Sequence, residues 1–216
     1  MQEIEQLYSR QIAAYGSNSM NKITQLKILI YGMRGLGIEI SKNIILSGPH
    51  SVTIFDDNKI TKQDLCSNFY ADEKDIGLRR DETSLKKLSE LNNLVKCDYL
   101  KENKLIENIK DYVKDYDIII ITEIMEIKDL IKIDKICYEN KKGFIYCLVF
   151  GLTFFCFVNY GEHIINNKSN NTIRNYFIKD ITKGKTTTIT IDDEFDNFEL
   201  NENQYIIFKD IKGINQ

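Results

Sequence analysis

The sequence has little that would place it in a membrane, outside the cell or on nucleic acid. No stretch approaches the roughly 20 uninterrupted apolar residues that a membrane helix needs. The opening residues, Met-Gln-Glu-Ile-Glu-Gln, are acidic and lack the basic and apolar regions of a signal peptide. The five cysteines (Cys66, Cys97, Cys137, Cys147 and Cys156) include no C-x-x-C pair. An odd, scattered set reads as reduced core thiols rather than a disulfide framework or a zinc site, with Cys66 the one expected to be exposed. The two histidines, His50 and His163, lack metal-ligand spacing and are explained as turn residues. A formal net charge of -3 argues against nucleic acid as the main partner, because phosphate binding wants a clustered basic face. Proline occurs once, while Asn, Lys, Ile and Tyr are abundant. That bias points to an AT-rich coding sequence, so Asn-rich turns carry little functional weight. A soluble, intracellular chain is the expectation.

What is present is enough apolar material, 43% of 216 residues, for one full core and a second small unit. Lys27–Tyr31 is a short apolar run that opens onto Gly32, Gly35 and Gly37. From Ile38 onward Ile38, Ile44 and Ile45 recur at near-helical spacing until Gly48-Pro49 stops the helix. Val52–Phe55 is the next strand, ending at Asp56-Asp57. Strand, glycine turn, helix and strand make a βαβ unit, which implies a parallel sheet with a right-handed crossover. The alternation continues through a helix over Asp81–Asn92, a strand over Val95–Leu100 and a helix over Asn103–Val113. It ends with a strand over Asp117–Ile121, a helix over Ile127–Glu139 and a buried strand over Phe144–Phe150. The expected fold is a doubly wound, Rossmann-like α/β domain over residues 1–165.

After Gly161 the character changes. Asn166–Asn171 is a polar loop, and Arg174–Ile181, Thr186–Ile191 and Gln204–Ile211 look like strands rich in Thr, Ile, Tyr and Phe. Residues 166–216 therefore read as the start of a small β-barrel. Three strands rarely close a barrel, so the chain is expected to end inside that second domain.

The glycine loop, Gly32-Met33-Arg34-Gly35-Leu36-Gly37, is G-x-x-G-x-G. In the usual dinucleotide fingerprint the second glycine lets the backbone approach a pyrophosphate. Here that position is Arg34, whose side chain would crowd a phosphate. Asp56-Asp57 follow where a ribose-binding carboxylate would sit. The residues alone leave two readings open: a nucleotide site, or glycines that simply permit tight strand–helix packing.

Several segments together resemble the first adenylation-type domain of ubiquitin-activating enzymes. They are Leu7-Tyr8-Ser9-Arg10-Gln11, Gly32–Gly37 followed by Ile38-Glu39-Ile40-Ser41-Lys42-Asn43, Asn68-Phe69-Tyr70, Asp75-Ile76-Gly77, Phe150-Gly151 and Tyr160-Gly161-Glu162. The tail, from Phe177 through Asp192 to Phe208–Gly213, is similar to the opening strands of that family's first catalytic-cysteine half-domain. The resemblance implies two homologous folds paired face to face, of which only the second binds ATP and Mg²⁺ and adenylates the ubiquitin C-terminus. It also implies a place in the cytoplasm, the nucleus or both.

Set against an active half, this chain departs at each chemical position. Asn58 stands at the ribose carboxylate, and Cys66-Ser67 replace an asparagine–arginine pair. Arg79-Arg80-Asp81 occupy the neighbourhood of a phosphate-contacting lysine, and Thr122 and Glu123 that of a magnesium-binding aspartate. Transfer of an AMP group needs cations and Mg²⁺ on the phosphates, so the resemblance implies a half without catalytic residues and without a bound cofactor of its own. It assigns one acting residue. By that resemblance Arg10 is expected to reach across the pseudo-dimer to ATP on the partner half, as guanidinium suits phosphate oxygens. The expected partners are an active adenylation domain, on this or another chain, ubiquitin or a ubiquitin-like protein, and for the isolated chain a second copy of itself. Two alternatives stand beside this: the smaller subunit of a SUMO-type activating enzyme, which lacks the β-rich tail, and a free-standing nucleotide-binding Rossmann enzyme, which the loop chemistry opposes.

Overall fold

A computed structural model describes residues 7–101, 105, 107–162, 177–182, 184, 186–191 and 208. The chain divides into two compact units, Met1–Ile164 and Ile165–Gln216. In the first, helices α1 (Ser9–Tyr15) and α2 (Ser17–Ile23) precede β1 (Lys27–Tyr31), α3 (Gly35–Ser47) and β2 (Ser51–Phe55). A long loop with two short 3₁₀ turns, Asp64–Cys66 and Glu73–Asp75, leads to α4 (Arg80–Ser89) and β3 (Lys96–Tyr99). Then come α5 (Ile109–Asp115), β4 (Ile118–Ile121), α6 (Ile127–Glu139), β5 (Gly143–Phe150) and β6 (Thr153–Asn159).

The six strands form one sheet in the order β3-β2-β1-β4-β5-β6. The first five run parallel and β6 returns antiparallel to β5. The central strands β1, β2 and β4 are short and apolar because both of their faces are covered, whereas β3 at the edge, Lys-Cys-Asp-Tyr, is partly exposed. In β1 the side chains alternate between two cores. Ile28 and Ile30 pack with Ile38, Ile45, Ile54 and Leu88 beneath α3 and α4. Leu29, which is fully buried, points the other way and packs with Ile109, Val113, Ile119, Ile121 and Ile133 beneath α5 and α6. The arrangement is Rossmann-like, with its switch point between β1 and β4, the strands whose following connections leave toward opposite faces.

The N-terminal helices are held to the far end of α3. Tyr8 is buried against Gly48, which ends α3 in the left-handed conformation at φ 82°. The Asn92 amide donates both to the Tyr8 hydroxyl (2.8 Å) and to the Ile45 carbonyl (2.9 Å), and so ties a final-turn carbonyl of α3 to this anchor. Gln11 donates to the Leu46 carbonyl at 3.3 Å.

Three expectations need correction. The sheet is not wholly parallel: Thr153–Asn159 was not anticipated as a strand, although a turn at Gly151-Leu152 followed by Thr-Phe-Phe-Cys-Phe-Val is a hairpin signal. The cysteines are not all core thiols either, since Cys156 is exposed, as is Cys66. The helix expected over Asn103–Val113 begins only at Ile109 among the described residues.

In the second unit β7 (Ile178–Ile181) and β8 (Ile189–Ile191) form an antiparallel pair. The expected loop Asn166–Asn171, residues 174–176 of the first tail strand, the strand Gln204–Ile211 apart from Phe208, and His163 lie outside the described residues.

Candidate functional site

The glycine loop lies at the sheet's switch point, where an open α/β fold places its ligand crevice. Gly32 follows β1 with φ 102°, a conformation that favours glycine. A Cβ there would meet Thr122 Oγ1 at 2.5 Å and Glu123 Cγ at 2.6 Å. Thr122 donates its hydroxyl to the Gly32 carbonyl at 2.9 Å and its N–H to the Tyr31 carbonyl at 2.8 Å. Gly37 crosses so close that a Cβ would lie 1.9 Å from the Gly32 oxygen. The first and last glycines thus serve strand–helix packing. Gly35 faces Ser67, whose Cβ and Oγ stand 2.6 and 2.9 Å from where a Gly35 Cβ would be. The chain's own loop therefore fills the space above the turn.

The charged groups around the loop are engaged with one another. Arg34, at the N-terminus of α3, brings Nε to 3.3 Å from Glu123 Oε1. That approach lacks hydrogen-bond geometry, and Oε1 has no hydrogen-bond partner. Burial pushes the Glu123 carboxyl above its ordinary value; Arg34 opposes the shift and Asp56 adds to it.

Deeper in, Arg80 is buried between two carboxylates, with Nη1 3.3 Å from Asp56 Oδ2 and Nη2 3.1 Å from Asp64 Oδ2. Burial opposes the charge on Arg80, yet Asp56 and Asp64 hold the guanidinium more firmly protonated than usual. Asp56 Oδ2 also accepts the Met33 N–H at 2.9 Å, so one amide of the glycine loop is already used. Asp56 Oδ1 accepts from the Asn58 N–H (3.0 Å) and its side-chain amide (2.8 Å). Asp64 accepts from the Thr61 N–H and hydroxyl at 2.7 and 2.8 Å. Burial alone would raise the Asp64 carboxyl; the Thr61 donors and Arg80 together hold it below its ordinary range. Next to this cluster Asp81 accepts the Asp56 N–H at 3.0 Å and pairs with Arg79 at 2.7 Å.

Of the expected site residues, Gly32, Arg34, Gly35, Gly37 and Ser67 come together at the loop. Asn58, expected at the ribose position, donates its N–H and its side-chain amide to Asp56. Cys66 is exposed on its 3₁₀ turn. Arg10 is exposed on α1, at the C-terminal end of α3. The glycine loop is at the other end of that helix, whose 13 residues span roughly 20 Å. Asp64 was missed by sequence reasoning, because nothing in a loop of mixed polar residues marks which carboxylate will be buried. Arg80 was visible only as part of a neighbourhood.

Arg80→Met should destabilise the fold at pH 7 by about 3–5 kcal/mol, since it leaves Asp56 and Asp64 buried without a cation. The Asp64 pKa is lower in the folded state than in the unfolded one. Its contribution is therefore present above the unfolded value and is lost as pH falls through the folded one. The gap between wild type and variant, read from urea unfolding, should narrow below about pH 4. A gap that stays constant from pH 7 to pH 3 would mean that this ion cluster does not hold the site.

The chain matches the ThiF family model over residues 8–193. It is 34% identical over 220 residues to ubiquitin-activating enzyme E1 2 of Arabidopsis thaliana, covering all of this chain and 20% of that protein. Identity is 32% over 216 residues to ubiquitin-activating enzyme E1 1 of Candida albicans (strain WO-1), covering 99% of this chain and again 20% of the relative. The chain therefore spans about a fifth of the length of these curated relatives. Among solved structures, the tRNA N6-threonylcarbamoyladenosine dehydratase TcdA of E. coli superimposes with a TM-score of 0.59 at 16% identity, over 68% of this chain and 61% of its own. E. coli MccB superimposes with a TM-score of 0.56 at 21% identity, over 66% and 44%. At those identities the superpositions speak for the fold alone. With its switch-point glycine loop and a family match over most of its length, the chain belongs to the ThiF family and is homologous to ubiquitin-activating enzymes.

Proposed function

We propose that this chain is the non-catalytic half of a ubiquitin-activating type of enzyme. Residues 1–165 scaffold an active adenylation domain, and residues 166–216 open the first catalytic-cysteine half-domain, shaping the surface for ubiquitin or a ubiquitin-like protein. It would work where those proteins are conjugated, in the cytoplasm or nucleus. The observation that carries this reading is that the arginines around the glycine loop are engaged by carboxylates of the same chain. ATP and Mg²⁺ need the reverse: free cations and loop amides for the phosphates, and carboxylates free for the metal. The residues present do not fit that group. Ser67 sits over Gly35, Met33 N–H is spent on Asp56, and Glu123 is half-buried beside Arg34.

Arg10 supports the same reading from the other side. It is an exposed arginine two residues from the Tyr8 anchor and a helix length from its own glycine loop, so it is open to serve a neighbour's phosphates. The β5–β6 hairpin supplies a surface for that neighbour. Leu152 is fully exposed and Phe154 is 78% exposed, with Val149, Phe150 and Val158 about half exposed. Exposed apolar side chains concentrated on one hairpin in this way seek a partner. In the isolated chain the partner is a second copy.

Calorimetric titration of the 216-residue chain with ATP and Mg²⁺ should give no heat beyond dilution, and a micromolar Kd would overturn the inactive assignment. In an enzyme that joins this chain to its active adenylation domain, Arg10→Ala should slow adenylation by roughly 10³-fold, the low end of arginine-finger effects. Unchanged rate and ATP affinity would remove Arg10 from the mechanism. Light scattering on the isolated chain should report a dimer that Leu152→Glu converts to monomer; a wild-type monomer at high concentration would refute the covered hairpin.

A further inference from the structure

The antiparallel register of β5 and β6 sets Cys147 directly opposite Cys156. Their Sγ atoms are 3.2 Å apart, within reach of a thiol hydrogen bond in which either sulfur can donate. Directly opposed residues hold their Cβ atoms about 4.5–5.5 Å apart, and a disulfide accepts roughly 3.5–4.5 Å, so the two ranges meet. Closing the sulfurs to about 2.05 Å needs only a small side-chain rotation on strands already in place. No other two cysteines are paired among the described residues. Cys97 and Cys137 are pushed up by burial to about 11 and about 12, which keeps them as thiols and unreactive.

The surroundings give the two sulfurs different access. Cys156 is exposed and Cys147 is partly buried. Both line an open apolar groove of about 430 Å³ between the hairpin and the first turns of α3, where Leu36 and Ile40 form the opposite wall. A volume of that order lies within the roughly 300–1,000 Å³ of small-molecule sites.

We propose that Cys147 and Cys156 form a reversible intrachain disulfide, in which exposed Cys156 takes up a low-molecular-weight disulfide such as oxidised glutathione and Cys147 resolves it. In the first step the Cys156 thiolate attacks one sulfur of the small disulfide. The sulfur–sulfur bond breaks, and one small thiolate leaves and takes a proton from water. In the second step Cys147 gives up its proton to solvent and attacks the Cys156 sulfur, releasing the other small thiol. Two protein thiols are oxidised and one small disulfide is reduced to two thiols, so no further oxidant is required. Burial and the hydrogen bond shared with Cys156 push Cys147 up to about 12, which makes it a poor first nucleophile at neutral pH. As the second nucleophile it gains from its placement, because the sulfur it attacks is held beside it. Excess reduced thiol reverses both steps. The bond would staple together the two strands that carry the exposed apolar surface.

The test is to reduce the 216-residue chain, exchange it into buffered oxidised glutathione and count free thiols by intact mass after alkylation. Wild type should lose two of its five thiols without retaining glutathione, and a digest should contain a Cys147–Cys156 cross-link that dithiothreitol removes. Cys147→Ser should hold one glutathione on Cys156. Cys156→Ser should form no cross-link and leave Cys147 unmodified. Five free thiols in both wild type and the Leu152→Glu chain, whose hairpin is uncovered, would overturn the proposal. So would glutathione retained on wild-type Cys156, or a cross-link that joins either cysteine to Cys66 or Cys97. The wild-type result stands by itself if a variant fails to fold.

Discussion

Buried Arg80 is the point at which four separate stretches of this chain are tied together. Its guanidinium spans Asp56 at the end of β2 and Asp64 in the following loop, while Arg80 itself begins α4. Through Asp56 it reaches the Met33 N–H, and so the glycine loop. Removing three charges from water costs several kcal/mol per ion, and the arrangement is tolerable only because donors close around it. The N–H groups of Met33, Asn58 and Thr61 and the Thr61 hydroxyl satisfy the carboxylates that Arg80 alone cannot. The Nε of Arg80 is left without a partner, a residual cost inside an otherwise satisfied network. A cluster of this kind holds the loop after β2 in one place, and Ser67 over Gly35 is a consequence.

The same economy bears on chemistry. A phosphate-binding crevice works by keeping donors and cations uncommitted until a ligand arrives. Here the commitment is internal: Arg34 faces Glu123, Arg79 faces Asp81, and Arg80 faces two aspartates. The Rossmann-like frame is kept, with its switch point, its glycine turn and its close helix crossing. The frame supplies geometry, and these charges are paired within the chain rather than left open to the crevice. A fold retained under those terms suits a scaffold, and the half-exposed aromatic hairpin at the sheet's edge is the surface on which such a scaffold would be used.

The α/β order was legible because its cause is local. The runs Lys27–Tyr31, Val52–Phe55 and Asp117–Ile121 are apolar without polar alternation, as strands covered on both faces must be. Ile127–Glu139 carries helical spacing and forms a helix over the same residues. The packing glycines were legible too, since a turn between a strand and a helix has few other ways to be made. β6 was overlooked despite its hairpin signal, because Thr-Phe-Phe-Cys-Phe-Val-Asn has few of the β-branched residues that mark its neighbours. The site was half legible. Arg34, Asn58 and Ser67 could be flagged by position, but their roles depend on which atoms meet.

By itself the sequence determined the strand–helix alternation, the position of the glycine loop and the change of character after Gly161, since hydrophobic period and turn chemistry act over a few residues. Only the tertiary structure decided that Arg80 bridges Asp56 and Asp64, that Ser67 closes over Gly35, and that Cys147 stands against Cys156. Those pairs are brought together by strand register and loop closure, and distances between residues far apart in the chain leave no periodic trace in its composition. Burial then gives the contacts their strength, because a charge or a thiol removed from water is governed by the few atoms that the fold has set beside it.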